Sequence, residues 1–208
     1  MAVEKSEIRA ILRATRRMLT DAWAASHSLL VERRLVASEV FADAATVVLY
    51  ASKDKEVATD LIMSEALGSG RRVLFPKILR EAHELSLVEV DDPATLAPGA
   101  FGLLEPTGSE TVPVGSLGRA LICVPGLAFS RDGYRLGRGG GYYDRLLAEA
   151  APRAQSVGLA YAFQVLDRVP RSPSDVRLNL IVSESALYRV DAGERATRPQ
   201  PDQGGSRC

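Results

Sequence analysis

The segment RLGRGGGYYD, residues 135–144, combines residue types that bind phosphate groups in proteins. Glycine occupies four of the five positions from 137 to 141, namely Gly137, Gly139, Gly140 and Gly141. Without a Cβ, glycine can adopt positive φ and lets its backbone N–H approach a ligand closely. Arg135 and Arg138 can add charge-assisted hydrogen bonds to phosphate oxygens. With a strand before this segment and a helix after it, the helix dipole completes an anion site.

Tyr142, Tyr143 and Asp144 end the segment with groups that suit a nucleotide. The tyrosines offer hydroxyl groups and aromatic faces, and Asp144 offers a hard oxygen ligand for the Mg²⁺ that accompanies nucleotide phosphates. Neither common phosphate fingerprint fits, since G-x-G-x-x-G requires glycine at position 142 and the P-loop requires Gly-Lys-Ser/Thr. The glycines alone are also compatible with a flexible loop whose two tyrosines pack in the core.

Hydrophobic periodicity predicts the elements that position this segment. A first amphipathic helix over residues 4–20 carries a cationic stripe formed by Lys5, Arg9, Arg13 and Arg16. The pattern then predicts a helix over about 23–42, a buried strand over 46–50, a helix over 56–67, a strand over 72–75 that ends before Pro76, and an alternating strand over 84–90.

The second half of the chain continues the alternation of strands and helices. Residues 91–118 are predicted to be mostly connection with one short strand, and residues 120–124 are the clearest buried strand. An aperiodic loop then leads to a helix from Tyr142 to about 150, and loops of that length are usually functional. Further strands are predicted near 155–160, 178–183 and 186–190. The pattern predicts an α/β fold with one domain over residues 1–190 and a disordered tail over 191–208.

Composition limits the classes of function. Lysine plus arginine (26) balances aspartate plus glutamate (26) in the 208-residue chain, so a small-molecule ligand is favoured over a nucleic acid or an anionic membrane. The N-terminal region lacks the apolar core of a signal peptide, and we expect a soluble, cytoplasmic monomer. Cys123 and Cys208 have no CxxC partner, and the chain has two histidines, His27 and His83. A disulfide framework, a zinc site and Cys/His catalysis are therefore not expected.

The central motif resembles a known family. Residues 124–129 (VPGLAF), Gly133, residues 135–137 (RLG) and residues 139–144 (GGGYYD) are similar to the signature of the 5-formyltetrahydrofolate cyclo-ligases, also called methenyltetrahydrofolate synthetases. Three further pieces follow the order of that family, and together they extend the resemblance from about residue 5 to 184: Lys5 with Ile8 and Arg9; Glu56, Val57 and Thr59; and Gly102 with Glu105 and Pro106.

The resemblance implies a Rossmann-like, three-layer fold with a central, largely parallel sheet. It also implies that ATP and Mg²⁺ are needed to convert 5-formyltetrahydrofolate to 5,10-methenyltetrahydrofolate, with release of ADP and phosphate. In the mechanism accepted for the family, the formyl oxygen attacks the γ-phosphate, and N10 then closes the ring as phosphate departs. Such phosphoryl transfer depends mainly on positioning and charge neutralisation and requires no nucleophile from the enzyme.

The resemblance also assigns roles to individual residues. The ATP-binding set is Lys5, Arg9, Arg135, Gly137, Arg138, Gly139, Gly140, Gly141, Tyr142 and Tyr143. Catalysis is assigned to Arg135, Arg138 and Tyr142, substrate binding to Glu56, Arg138 and Tyr142, and Mg²⁺ binding to Asp144 and Asp175. Without the family, Lys5 and Arg9 would be read as a solvated helix face. Glu56 would be read as an ordinary acid in the first turn of a helix.

Three positions depart from the family pattern. Ser174 replaces a usual histidine, Asn179 a usual aspartate and Ser130 a common aspartate, whereas Gln164 matches the family. The first two departures leave open a non-catalytic nucleotide-binding or folate-binding protein. A phosphosugar isomerase or an acyl-transfer enzyme would need a catalytic acid, base or nucleophile in the 125–144 loop, where Asp132 and Asp144 are the carboxylates.

Overall fold

The computed structural model describes residues 4–79, 81–151 and 154–190. Its helices are α1 (Lys5–Met18), α2 (Asp21–Val36), α3 (Glu39–Asp43), α4 (Asp60–Gly68) and α5 (Tyr142–Ala150). Its strands are β1 (Thr46–Val48), β2 (Arg72–Leu79), β3 (Glu84–Glu89), β4 (Leu96–Pro98), β5 (Leu104–Pro106), β6 (Thr111–Val112), β7 (Ala120–Val124), β8 (Ala128–Ser130), β9 (Arg135–Leu136), β10 (Ala154–Leu159), β11 (Val165–Leu166), β12 (Leu180–Val182) and β13 (Leu187–Arg189). The predicted tail over 191–208 lies outside the described residues.

An eight-stranded sheet with the order β13-β12-β10-β7-β1-β2-β3-β6 forms the centre of the fold. The five strands from β12 to β2 in this order are parallel neighbours, and β13, β3 and β6 pair antiparallel at the two sides. The predicted largely parallel sheet in an α/β fold is therefore confirmed. No helix in the described ranges is both long enough and apolar enough to cross a bilayer.

Both faces of the sheet are covered by helices, which makes three layers. Val47 of β1 and Leu121 of β7 face a cluster with residues of α2, α3 and α4. Val48 and Ile122, the next residues along the same strands, face a second cluster with residues of α5. Successive side chains of a strand point to opposite faces. Strands covered on both faces consist of consecutive apolar residues, which explains why the 46–50 and 120–124 runs could be recognised.

The predicted helix over 56–67 begins later than expected, at Asp60. Asp54 and Lys55 both have positive φ, 53° and 57°, which breaks helical geometry just before Glu56. The hydroxyl of Tyr50 donates to the carbonyl oxygen of Val57 at 2.8 Å. The hydroxyl of Thr59 donates to the backbone carbonyl oxygen of Tyr50 at 2.9 Å. These bonds hold residues 56–59 against the end of β1, so Glu56 lies in a loop.

Two other predicted boundaries are wrong. The helix predicted over 23–42 is interrupted at residues 37–38, where Ser38 accepts a hydrogen bond from the N–H of Phe41 at 3.3 Å and starts α3. The strand predicted to end before Pro76 continues to Leu79. Beyond Leu74, β2 has a partner only on the β3 side, and a strand with one unpaired side tolerates proline.

Residues 91–118 also contain more strand than predicted. The sequence indicated one short strand there, whereas β4, β5 and β6 all lie in this region. Turns of 3₁₀-helix precede β4 at Pro93–Thr95, lie between β4 and β5 at Ala100–Gly102, and follow β6 at Val114–Ser116. Strands of two or three residues are too short to show a two-residue period above the surrounding glycines and prolines.

Glu32 of α2 is a buried carboxylate, 4% exposed, that accepts from the backbone N–H of Leu61 at 2.8 Å and of Ile62 at 3.4 Å. Burial raises the pKa of Glu32 to about 7, although these two N–H groups act in the opposite direction. The folded state thus holds this proton more tightly than the unfolded state does. The stability that protonated Glu32 contributes is present below its unfolded pKa and is lost as the pH rises through about 7.

We expect Glu32→Gln to remove this pH dependence. The amide oxygen still accepts from Leu61, and no charge is buried at high pH. At pH 8 the variant should be more stable than the wild type by up to about 2 kcal/mol, with a flatter profile between pH 5 and 7. Urea unfolding at several pH values measures this, with Glu65→Gln on the exposed side of α4 as the control. Parallel profiles for the wild type and Glu32→Gln would contradict the assignment.

Candidate active site

A cleft of about 860 Å³ lies at the carboxyl end of the central parallel strands. Tyr50 and Ala51 follow β1, Pro125 and Gly126 follow β7, and all four residues line it. In α/β sheets ligands bind at this edge. Every site residue predicted from the sequence also lines the cleft: Lys5, Arg9, Glu56, Arg135, Gly137, Arg138, Gly139, Gly140, Gly141, Tyr142, Tyr143, Asp144 and Asp175. The structure therefore brings together residues from both ends of the chain.

The glycine segment is held in a defined shape beside the cleft. Gly139 and Gly141 have φ of +114° and +67°, conformations that residues with a Cβ adopt rarely, and Gly141 precedes the first residue of α5. Arg9 Nε donates to the carbonyl oxygen of Gly137 at 3.0 Å, and Arg145 Nη2 donates to that of Gly140 at 3.1 Å. Side chains from α1 and α5 thus anchor the segment, which disfavours the alternative of a flexible loop.

Helix α1 is placed by packing against the β8–β9 hairpin. Leu12 of α1 is buried with Ala128 and Leu136, and Ile8 packs against the same cluster. This contact brings Lys5 and Arg9 of the predicted cationic stripe to the cleft. The alternative that these two residues form a solvated helix face therefore does not hold, since both are half-buried and both bond to other parts of the protein.

Arg135 and Asp144 form a largely buried ion pair in the cleft. Arg135 Nη1 lies 2.9 Å from Asp144 Oδ1, and the two side chains are 5% and 22% exposed. The same oxygen accepts from the backbone N–H of Val176 at 3.1 Å. The Arg135 guanidinium carbon lies 5.9 Å from the centre of the Tyr143 ring. Burial raises the pKa of the Tyr143 hydroxyl.

Lys5 and Asp175 form a second ion pair of the same type. Lys5 Nζ lies 2.8 Å from Asp175 Oδ2 and also donates to the Ser172 hydroxyl at 2.8 Å. Asp175 Oδ2 accepts from the backbone N–H of Ser172 at 2.7 Å as well. Each pair combines one cation predicted to bind phosphate with one carboxylate predicted to bind metal.

The two aspartates are compatible with a magnesium ion bound together with phosphates. One oxygen of each, Oδ2 of Asp144 and Oδ1 of Asp175, accepts no hydrogen bond from the described part of the chain. Mg²⁺ is commonly bound by one or two carboxylates, with substrate phosphates and water completing its coordination. No group of three or more metal-ligating side chains occurs among the described residues, so a site built from protein ligands alone is not preformed there.

Glu56 stands at the centre of a charged cluster. Its Oε1 accepts from Arg138 Nη2 at 3.1 Å and from Arg16 Nη1 at 3.4 Å, and its Oε2 accepts from the backbone N–H of Lys53 at 3.2 Å. The Glu56 side chain is 8% exposed. The alternative of a first-turn helix acid is excluded because α4 begins four residues later.

Some cleft residues were not predicted from the sequence. Arg145 donates a hydrogen bond to the carbonyl oxygen of Gly140. The position of Arg145, one helical turn after Gly141, could have indicated this contact. A mainly apolar wall of the cleft comes from β2, β3, the start of β5 and the residue before it, namely Pro76, Ile78, Leu85, Leu103 and Leu104. This wall was missed because the sequence pattern ended β2 too early and left residues 91–118 mostly as connection.

The three departures from the family pattern lie in different environments. Ser174 lines the cleft. Asn179 does not line it. Its Oδ1 accepts from the backbone N–H of Ser156 at 2.8 Å and from the Ser156 hydroxyl at 3.0 Å, which joins the residue before β12 to the middle of β10. Ser130 is buried and donates to the Asp132 carboxylate across a turn. Cys123 is also buried, and burial raises the pKa of its thiol, as for a core residue.

Comparison with known proteins identifies the family. The model of the 5-formyltetrahydrofolate cyclo-ligase family matches residues 1–184. The 5-formyltetrahydrofolate cyclo-ligase of Mycolicibacterium smegmatis is 32% identical over 183 residues, which is 86% of this chain and 93% of the relative. The solution structure of Aquifex aeolicus 5,10-methenyltetrahydrofolate synthetase superposes with a TM-score of 0.78 at 34% identity, covering 96% of this chain and 97% of that one.

A second solved structure supports the fold. The 5,10-methenyltetrahydrofolate synthetase from Mycoplasma pneumoniae has a TM-score of 0.71 at 24% identity and covers 88% of this chain and 99% of that one. The family match, the relatives and the fold agree with the resemblance in the glycine motif, which is therefore confirmed. The chain belongs to the 5-formyltetrahydrofolate cyclo-ligase family.

Proposed function

We propose that this protein uses Mg²⁺ and ATP to convert 5-formyltetrahydrofolate to 5,10-methenyltetrahydrofolate. One observation carries the proposal: two cation–carboxylate pairs, Arg135–Asp144 and Lys5–Asp175, line the same cleft as the anchored glycine segment. Backbone N–H groups and cations suit phosphate oxygens, and the carboxylates suit a divalent ion. Family membership favours this enzyme over the non-catalytic binding protein.

The ion pairs suggest how a magnesium nucleotide is accepted. Lys5 and Arg135 would hold its phosphate oxygens, and Asp175 and Asp144 would hold its metal ion. Each charged group then exchanges one partner for another of the same sign, so no buried charge is left uncompensated. Mg²⁺ bound there would neutralise phosphate charge.

The chemistry requires positioning rather than a nucleophile from the protein. The formyl oxygen forms a bond to the γ-phosphorus of ATP as the bond between that phosphorus and the ADP oxygen breaks. N10 then attacks the formyl carbon and loses its proton, and the carbon–oxygen bond breaks to release phosphate. Arg135 and Arg138 would neutralise the transferred group, and Tyr142 would orient it with the glycine backbone.

The two walls of the cleft suggest separate places for the two substrates. Lys5, Arg9 and the glycine segment form the polar wall, which suits the triphosphate. The apolar wall suits the flat ring systems of a folate. Glu56 has the hydrogen-bond acceptors for a pterin 2-amino-4-oxo edge. Because Arg138 and Lys53 already occupy those acceptors, pterin binding there would require Arg138 to move or share the carboxylate.

Lys5→Met should raise the KM for ATP by at least about tenfold, because a half-buried charge-assisted contact to phosphate is lost. The KM for the folate should change by less than about twofold. Steady-state kinetics with each substrate varied in turn measures both constants. Lys77→Met is the matched control, since Lys77 bonds to the carbonyl of Gly108 away from the cleft. A larger effect on the folate than on ATP would reverse the proposed placement.

The direct test follows the ultraviolet absorbance of methenyltetrahydrofolate as purified protein meets 5-formyltetrahydrofolate, Mg²⁺ and ATP. Reactions that lack one component serve as controls. We expect product only when all are present, with one ADP formed for each methenyl group. Saturable folate binding by folded protein without ATP consumption would favour the binding protein instead. The cytoplasmic location and the monomeric state both stay predictions. Light scattering after size-exclusion chromatography tests the monomeric state.

A further inference from the structure

We propose that a second cavity, beside the cleft, binds a multivalent oxyanion. This arginine cavity has a volume of about 460 Å³ and is lined by Arg13, Arg16, Arg17, Asp54, Lys55 and Arg138. Five of its six lining residues are cationic and one is a carboxylate. A concave site with such an excess of one sign concentrates ions of the opposite sign. A phosphate compound or a group of adjacent carboxylates has the matching chemistry.

Helix α1 supplies three of the five cations. Arg13 and Arg17 are four positions apart and therefore lie on the same face of the helix. Both are exposed, and neither forms a hydrogen bond or an ion pair with the residues that the structure describes. Like charges one turn apart destabilise a helix. An anion between them would remove this repulsion.

Arg16 is a buried guanidinium at the edge of the cavity whose hydrogen bonds are incomplete. The residue is 2% exposed, and its Nη1 lies 3.4 Å from both Glu56 Oε1 and the carbonyl oxygen of Gly126. Its Nε is buried and has no hydrogen-bond partner, which is unique among the side-chain nitrogens and oxygens that the structure describes. Leaving a buried donor unpaired is costly. Arg16 borders the arginine cavity, and because its Nε is unpaired, the guanidinium gains a hydrogen bond when it turns toward an oxyanion bound there.

Lys55 and Arg138, the other two cations of the cavity, each pair with an exposed carboxylate. Lys55 Nζ lies 3.4 Å from Asp21, whose carboxylate is 95% exposed, and Arg138 Nη2 lies 3.0 Å from Asp54, which is 51% exposed. Exposed pairs of this kind contribute little to stability. Arg138 lines both the cleft and the arginine cavity. An anion that competes with Asp54 for the Arg138 guanidinium therefore acts on a residue that the two sites share.

Two sources of such an anion are chemically reasonable. One is a free phosphate compound, and the other is the row of carboxylates on a folate whose glutamyl tail has been extended. The probes are pyrophosphate and 5-formyltetrahydrofolate with one or three glutamyl residues. Binding is followed by NMR through the arginine Nε–Hε signals of ¹⁵N-labelled protein, and single lysine variants assign the signals of Arg13, Arg16 and Arg17.

We expect pyrophosphate, the triglutamate or both to shift the Arg16 signal together with those of Arg13 and Arg17, with one dissociation constant. The double variant Arg13→Ala/Arg17→Ala should raise this constant at least about tenfold. The control Arg33→Ala/Arg168→Ala removes the same charge from exposed positions outside both cavities and should leave the constant unchanged.

The responding probe identifies the source of the anion. If the triglutamate shifts the signals and the monoglutamate does not, the ligand is the extended tail, whereas a response to pyrophosphate identifies a phosphate compound. The proposal is overturned if the Arg16 signal responds to none of the probes, or if the two double variants bind equally. The readout does not depend on turnover, so its failure is distinct from a failure of the proposed cyclo-ligase activity.

Discussion

Arg135→Ala is expected to lower kcat by about 10³-fold, which corresponds to about 4 kcal/mol of transition-state stabilisation. Arg135 is the most buried of the cations proposed to bind ATP, with a side chain that is 5% exposed, and it lines the cleft beside Asp144. In a site shielded from water, a guanidinium that faces a transferred phosphoryl group is worth far more than a surface charge. Arg135→Lys should retain part of the activity, because an ammonium keeps the charge but not the planar fork of donors.

Folding must be separated from chemistry in this experiment. Arg135→Ala leaves Asp144 with its bond to the N–H of Val176 and with partial contact with water, so we expect folded protein with a modest loss of stability. Thermal unfolding checks this. The matched control is Arg131→Ala, whose side chain is 63% exposed in the same region of the chain, outside the cleft. Wild-type turnover in Arg135→Ala would refute the assigned role.

Asp144→Asn is expected to lower kcat by about 10²-fold or more and to raise the Mg²⁺ concentration needed for half-maximal rate. The amide oxygen can still accept from Val176 and Arg135, so the geometry is largely kept. The negative charge that a hard divalent ion requires is removed. Initial rates over a range of Mg²⁺ concentrations, at saturating ATP and folate, separate weaker metal binding from slower chemistry.

A suitable control for this variant is Asp167→Asn, which changes a carboxylate that is 91% exposed and lies outside the cleft. It should behave as the wild type does. If Asp144→Asn loses activity but needs no more Mg²⁺ than the wild type, then Asp144 acts by orienting Arg135 and not by binding the metal. Unimpaired activity would remove both roles.

Local features of the sequence were sufficient for the central elements of the fold. The apolar runs over 46–50 and 120–124 and the helix from Tyr142 could be recognised because each depends on consecutive residues or on short spacings. Boundaries failed where distant residues intervene. Helix α4 starts at Asp60, for example, because Tyr50 and Thr59 bond the preceding loop to β1 and because Glu32 caps the helix from α2.

The same division applies to the site. The sequence by itself determined the family and the α/β class, and it predicted a phosphate site at the glycine segment, because glycine spacing and residue order are written along the chain. Only the tertiary structure decided which charges meet, as in Lys5 with Asp175, 170 residues apart, or Arg138 with Glu56, 82 residues apart. Such pairs form because parallel strands bring their carboxyl ends to one edge of the sheet and because α1 packs across the β8–β9 hairpin. Hydrophobic periodicity carries no information about that packing. The sequence could therefore predict that these residues belong to the site, but not which residues they pair with.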